Sequence, residues 1–245
     1  MIAKPTAKDW ADLAKLPDWS GLWFPDVRDQ TQRIETDRPP WTPKAAANAA
    51  QQTAEEIAGR PRLPFVNCLP MGMPSWMLIN HNPMEVLFTP GRVTLLGESD
   101  GSRLRRIYTD GRQHPDDPDL TFHGHSIGRW EGEALVVDTV GVLPEVTLAV
   151  SEAVAVPLNG DMHVVERIAL KAPDLLVDEL TIEAPAILTR PWKTQRIFHR
   201  ERRRAYDIVE GSCLQGNFTE GRDKDGNAVF IPLDMKNGNA SARHD

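Results

Sequence analysis

From Glu85 onward, apolar and polar residues alternate with the two-residue period of half-buried strands, and most runs end in turn chemistry. Glu85 to Thr89 stops at Pro90-Gly91, Arg92 to Glu98 at Asp100-Gly101, and Leu104 to Thr109 at Asp110-Gly111. The same pattern predicts strands at Ser126 to Trp130, Ala134 to Thr139, Met162 to Lys171, Leu175 to Glu183, Lys193 to Arg200, Tyr206 to Val209 and Ala228 to Ile231. Roughly ten strands without intervening helices predict an all-β fold. An antiparallel barrel is favoured over a sandwich, because hairpin follows hairpin and closure removes exposed edges. Helical periodicity appears only upstream. Thr6 can cap an amphipathic turn over 7–16 that Pro17 stops, and Thr42-Pro43 opens an Ala-rich helix that Gly59 and Pro61 end. That helix is weakly amphipathic, which suits a surface position or the cover of a sheet edge. The chain therefore reads as a single domain over 1–245. Residues 1–83 supply helices, a first strand and a covering segment, and 84–245 supply the main barrel.

The covering segment is rich in proline and methionine, and Met73 and Trp76 within it are candidates to line a cavity mouth or to seal a core. Gly21-Leu22-Trp23 opens a strand and resembles the Gly-X-Trp signature of lipocalins, in which the Trp plugs one barrel end. Further motifs are Cys68-Leu-Pro-Met-Gly-Met-Pro, Arg106-Ile-Tyr-Thr-Asp-Gly-Arg-Gln-His-Pro, Gly124-His-Ser-Ile-Gly-Arg-Trp-Glu-Gly, Leu135-Val-Val-Asp-Thr and Thr189-Arg-Pro-Trp. With these the chain resembles a bacterial family that has no assigned activity. The resemblance implies a lipocalin-like β-barrel. Many members carry an export signal; MIAKPTAKDWADL has no apolar stretch of that kind, so the sequence departs from them and the expected compartment is cytoplasmic.

Chemistry is densest between Arg106 and Thr139. Glu131-Gly132 is an X-Gly hairpin signal. If those two residues are the loop, His125 faces Asp138 across the hairpin, and His123 shares their side if the strand extends that far. Ile127 and Val136 on the same face predict that this polar triad points into the barrel. Two other predicted strands place a carboxylate in an apolar row: Glu166 between Val164 and Ile168, and Asp178 between Leu176 and Leu180. An inward carboxylate is costly unless it is paired or hydrated, so these acids either mark an interior polar site or pair with arginines outside. Asp138, His125, Glu166 and Tyr108 are the candidate catalytic residues. His123, Arg112, Trp130, Arg190, Trp192, Met73 and Trp76 are the candidate substrate-binding residues, with guanidinium groups to orient a polar head and indoles to stack.

A metal is not expected: His123-Gly-His125 is an H-X-H pair, but no HExxH, CxxC or cupin spacing accompanies it. No strand, Gly-rich loop and helix unit suggests a nucleotide, so no cofactor is expected. Ser126 beside His125 and Asp138 lacks a nucleophile elbow. A net charge of −7 and the absence of a basic stripe argue against nucleic acid. No run of about 18 apolar residues argues for a membrane span. Two cysteines, Cys68 and Cys213, are too few for a disulfide framework and read as buried thiols. A homodimer is compatible with the sequence. The resulting expectation is a cofactor-independent lyase or isomerase that uses acid–base chemistry on a small hydrophobic or aromatic substrate. The alternative is a barrel that binds such a molecule as carrier or sensor.

Overall fold

The computed structural model describes residues 4–60, 69–98, 104–203, 205–209, 218–226, 228–234 and 239–240. Cys68 and Cys213 lie outside them. Among the described residues, helix α1 (Ala7–Asp12) precedes strand β1 (Leu22–Pro25) in the chain, and helices α2 (Val27–Thr36), α3 (Pro43–Ile57) and α4 (Ser75–Leu78) follow it. Then follow β2 (Met84–Thr89), β3 (Arg92–Gly97), β4 (Leu104–Tyr108), β5 (His125–Glu131) and β6 (Ala134–Val140). A side hairpin, β7 (Thr147–Ala149) and β8 (Ala155–Pro157), precedes the long strands β9 (His163–Ala172), β10 (Leu175–Glu183) and β11 (Trp192–Glu201). Beyond these, β12 (Phe218–Arg222), β13 (Ala228–Asp234) and β14 (Asn239–Ala240) form a separate three-stranded sheet.

Nine strands close a barrel in the order β1-β11-β10-β9-β6-β5-β4-β3-β2, and β2 returns to β1. The all-β barrel and its N-terminal helical extension are those the alternation predicts. One seam departs from antiparallel pairing. β4 and β5 run parallel and share only two residue pairs, Ile107 with Ser126 and Tyr108 with Ile127. The residues between these strands carry the chain back to the end where β4 began, as a parallel connection requires. Tyr206–Val209 is not a strand, and the Ala228 strand lies outside the barrel.

Local signals explain the helices. Thr6 accepts a hydrogen bond from the Asp9 amide while Asp9 caps the Thr6 amide, a reciprocal capping box. Thr42 caps α3 ahead of Pro43. Gln52 of α3 is buried and pairs with Ala155 of β8 at both ends of its amide, donating to the carbonyl (3.1 Å) and accepting from the N–H (2.8 Å). The helix thus covers the edge of the side hairpin.

Both ends of the barrel are closed by side chains. At one end, Trp23 Nε1 donates to the Trp19 carbonyl (2.9 Å) and the Arg200 guanidinium lies 4.4 Å from the Trp23 ring. Trp19 packs edge-on against Trp130 with ring centroids 5.3 Å apart. At the other end α4 buries Trp76, Met77 and Leu78, with Met73 just ahead of it. Trp76 needs the bare backbone of Gly97, where a Cβ would come within 2.4 Å of the indole. Between the two ends Ile107, Leu135, Val164, Ile168, Leu180 and Phe198 fill the interior.

The β5–β6 hairpin corrects the expected register. Its two-residue loop is Gly132-Glu133, with Gly132 at φ +64° in the first loop position, the place a type II′ turn gives to glycine. Ile127 therefore pairs with Asp138, and His125 with Val140. The slip is two residues along the ladder, so His125 and Asp138 still share a face, as diagonal neighbours. That face is the outer one. Ser126, Leu135, Val137 and Thr139, at most 1% exposed, take the interior. β6 is apolar on both faces, so Val136 beside Ile127 misreads as a core face.

Candidate functional site

Polar chemistry falls into two layers, one inside the barrel wall and one on it. The inner layer is built on the faces read from the sequence for β9 and β10: Glu166 and Asp178 both point inward and are fully buried. Arg105 of β4 meets them from across the barrel. It donates through Nη1 and Nη2 to the two Glu166 oxygens at 2.8 and 2.5 Å, and through Nη2 to Ser126 Oγ (3.2 Å) and Thr139 Oγ1 (3.0 Å). Neither oxygen of Asp178 accepts a hydrogen bond from a described residue. Burial, and next the negative charge of Glu166, hold the Asp178 carboxyl well above the usual carboxylate range, against the pull of Arg105 and Arg196. A protonated Asp178 resolves its missing donors, because it becomes one itself, toward Glu166. Arg196, cross-strand from Asp178, donates to the carbonyls of Leu78 (2.6 Å) and Gln195 (2.6 Å) and so ties α4 to the barrel. Burial, and next the charge of Arg33, lower its pKa to about 10.

The outer layer gathers histidines from three elements around Asp138. His114, in the connection between β4 and β5, sits with Nε2 3.0 Å from Asp138 Oδ1 and Nδ1 2.8 Å from His125 Nδ1. His163, at the start of β9, places Nε2 3.1 Å from the same Asp138 oxygen. Its Nδ1 is 3.4 Å from Glu183. Tyr108 stacks on His125 with centroids 5.4 Å apart, and the Arg112 guanidinium covers the Tyr108 ring at 3.8 Å. Arg112 in turn is held by Asp110 at 2.6 Å.

Proton positions follow from the network. A carboxylate oxygen only accepts, so His114 donates from Nε2. A neutral His114 then accepts at Nδ1, His125 donates from Nδ1, and the Nε2 lone pair of His125 is left free. Burial first of all, with the charge of Arg112 adding to it, pushes the His125 pKa below the ordinary histidine value and favours this neutral form.

A cavity of about 670 Å³ opens where β4 and β5 part. His125, Tyr108, His123 and Phe122 line it, with Arg105 and Ser126 also on its wall. His123 does not continue the face of His125: Gly124 at φ +68° breaks the alternation, and the His123 ring stands edge-on to Trp76 at 5.6 Å. Other candidates lie apart. Trp130 packs at the far end with Trp19 and Phe88, and Arg190 is exposed near the start of β11. Trp192 is buried and its Nε1 reaches Asp37 at 3.4 Å, while Met73 and Trp76 fill the barrel end. Ser126 is turned inward and bonded to Thr139 (2.8 Å) and Arg105, away from His125.

His114, His163, Glu183 and Arg105 escape sequence reasoning. The only signal for His114 is its place in the Tyr-Thr-Asp-Gly-Arg-Gln-His stretch that follows β4. Among the described residues no group of three or more His, Cys, Asp or Glu side chains is arranged to hold a metal ion, and no helix is long and apolar enough to cross a membrane. Compared with models of known families and with curated proteins, the chain matches none. What the fold defines is a closed β-barrel with a histidine-rich patch on its outer wall.

Proposed function

We propose that this protein is a cofactor-independent lyase or isomerase that moves protons on a small hydrophobic or aromatic molecule bound in the cavity at the β4–β5 seam. The supporting observation is the chain that starts at His125 on the cavity wall and runs through His114 to Asp138 behind it. In this reading His125 Nε2 is the general base. His114 and Asp138 fix its tautomer and steady the imidazolium that forms when it takes a proton, as a carboxylate does for imidazole in a catalytic triad. Asp138 thus orients the base, a different role from the general base expected of it in an interior site. Tyr108, stacked on His125, is the candidate second proton donor. Glu166 lies in the inner layer and acts through Arg105, which also borders the cavity.

The test is a screen of aromatic and terpenoid-like hydroxy compounds for elimination or double-bond shift, followed by His125→Gln. Loss of general-base work lowers turnover by about two to four orders of magnitude. Because the base acts in its neutral form and its pKa is lowered, activity falls on acidification only below about pH 6.5. Turnover by His125→Gln equal to wild type refutes the assignment. Binding without turnover in the wild type leaves a carrier.

A further inference from the structure

We propose that the molecule taken up beside His125 is a carboxylate, small and aromatic or hydrophobic, and that Arg106 is the residue that selects it; the inference rests on the acid–base reading of this cavity. Arg106 lies in β4, exposed, on the outer face it shares with Tyr108 by strand alternation. The Tyr108–Ile127 pairing makes this also the face of His125. Its neighbours in the chain are already committed: Arg105 to Glu166, and Arg112 to Asp110. Exposed arginines elsewhere, such as Arg129 and Arg167 on the outer wall and Arg202 and Arg203 just beyond β11, each hold a carboxylate. The Arg106 side chain makes no hydrogen bond or ion pair with a described residue, and it borders the cavity. Asp119, the one carboxylate on the cavity lining, forms no ion pair with it.

The rest of the wall fits the remainder of such a molecule. Leu104, Pro115 and Phe122 offer apolar surface on the same cavity. The cationic surroundings already register on His125, whose proton affinity the charge of Arg112 helps to lower. A guanidinium fork takes a carboxylate bidentately, which orients the ligand as well as holding it. An anion held at Arg106 would lie along the same outer wall as the free Nε2 of His125.

The experiment is calorimetric titration of the full chain at pH 7.5 and low salt with two probes of nearly equal shape, trans-cinnamate and trans-cinnamyl alcohol. The wild type binds the acid about tenfold or more tightly than the alcohol. Arg106→Gln removes that preference, and Arg106→Lys, with the charge but not the fork, keeps part of it. Circular dichroism confirms that the exposed substitutions leave the fold intact. Equal affinity for acid and alcohol in the wild type, no binding of cinnamate, or a preference that survives Arg106→Gln overturns the proposal. Turnover plays no part in this readout, so activity of His125→Gln bears on the acid–base reading alone, and the ratio of acid to alcohol bears on Arg106.

Discussion

Arg105→Met removes the one guanidinium that Glu166 binds inside the barrel. Arg105 is 1% exposed and Glu166 fully buried, and four hydrogen bonds leave the guanidinium: two to Glu166, one to Ser126 and one to Thr139. Methionine is apolar, flexible and close in length, so the variant leaves little void. It does leave a buried carboxylate without its cation, next to the Asp178 carboxyl. Breaking a buried ion pair from one side costs about 3–5 kcal/mol, a large share of the roughly 5–15 kcal/mol that holds a typical domain folded. The assay is urea unfolding of wild type, Arg105→Met, Glu166→Leu and the double variant. Each single variant loses about 3 kcal/mol or more, whereas the double variant, with an apolar pair of similar volume, returns to within about 1 kcal/mol of wild type. Single losses below about 1 kcal/mol, or losses that simply add, refute the buried-pair account.

Further outcomes follow from the packing. Because Asp178 holds its proton more tightly when folded, its contribution is fully present below the unfolded carboxyl value of about 3.9 and is lost as pH rises toward the folded value. Asp178→Asn therefore gains stability relative to wild type between pH 4 and pH 7.5; urea midpoints that move together at both pH values contradict this. Gly97→Ala drives a methyl into Trp76 and costs about 1–3 kcal/mol, read as a lowered unfolding midpoint. Gln52→Ala strips the Ala155 N–H and carbonyl of their partners and costs about 2–4 kcal/mol, with faster amide exchange in the side hairpin.

What could be read from the sequence was what local period and turn chemistry control. In β9 and β10 the alternation places Glu166 and Asp178 in rows of apolar residues, but it leaves open whether those rows face the interior or pair with arginines outside; their buried partners decide it. β6 is not so marked. Leu135, Val136 and Val137 are all buried, so period alone does not choose its inner face, and its register depends on the position of Gly132 within the turn, which an X-Gly signal leaves open by one residue at each end. Helix α2 carries little hydrophobic signal, because VRDQTQRIET is almost wholly polar, with only Val27 and Ile34 to mark a face. Tyr206–Val209 alternates like a strand yet forms no strand pairing among the described residues, since the barrel already closes through β1 and β11. His114 and His163 reach Asp138 from residues 24 and 25 positions away. No spacing rule links them, and the parallel seam that brings His114 over β5 is a long-range contact that periodicity cannot register.

The most direct test of the acid–base account is the protonation state of His125, read by long-range proton–nitrogen correlation NMR of the histidine rings across a pH titration. The account predicts that at pH 7 His125 is neutral, with its proton on Nδ1 and a bare Nε2, and that it titrates below the ordinary histidine value of about 6.5. Replacing Asp138 with Asn then disturbs the His125 tautomer through His114. A His125 that is protonated at Nε2 in its neutral form, or that titrates at or above 6.5, contradicts the account.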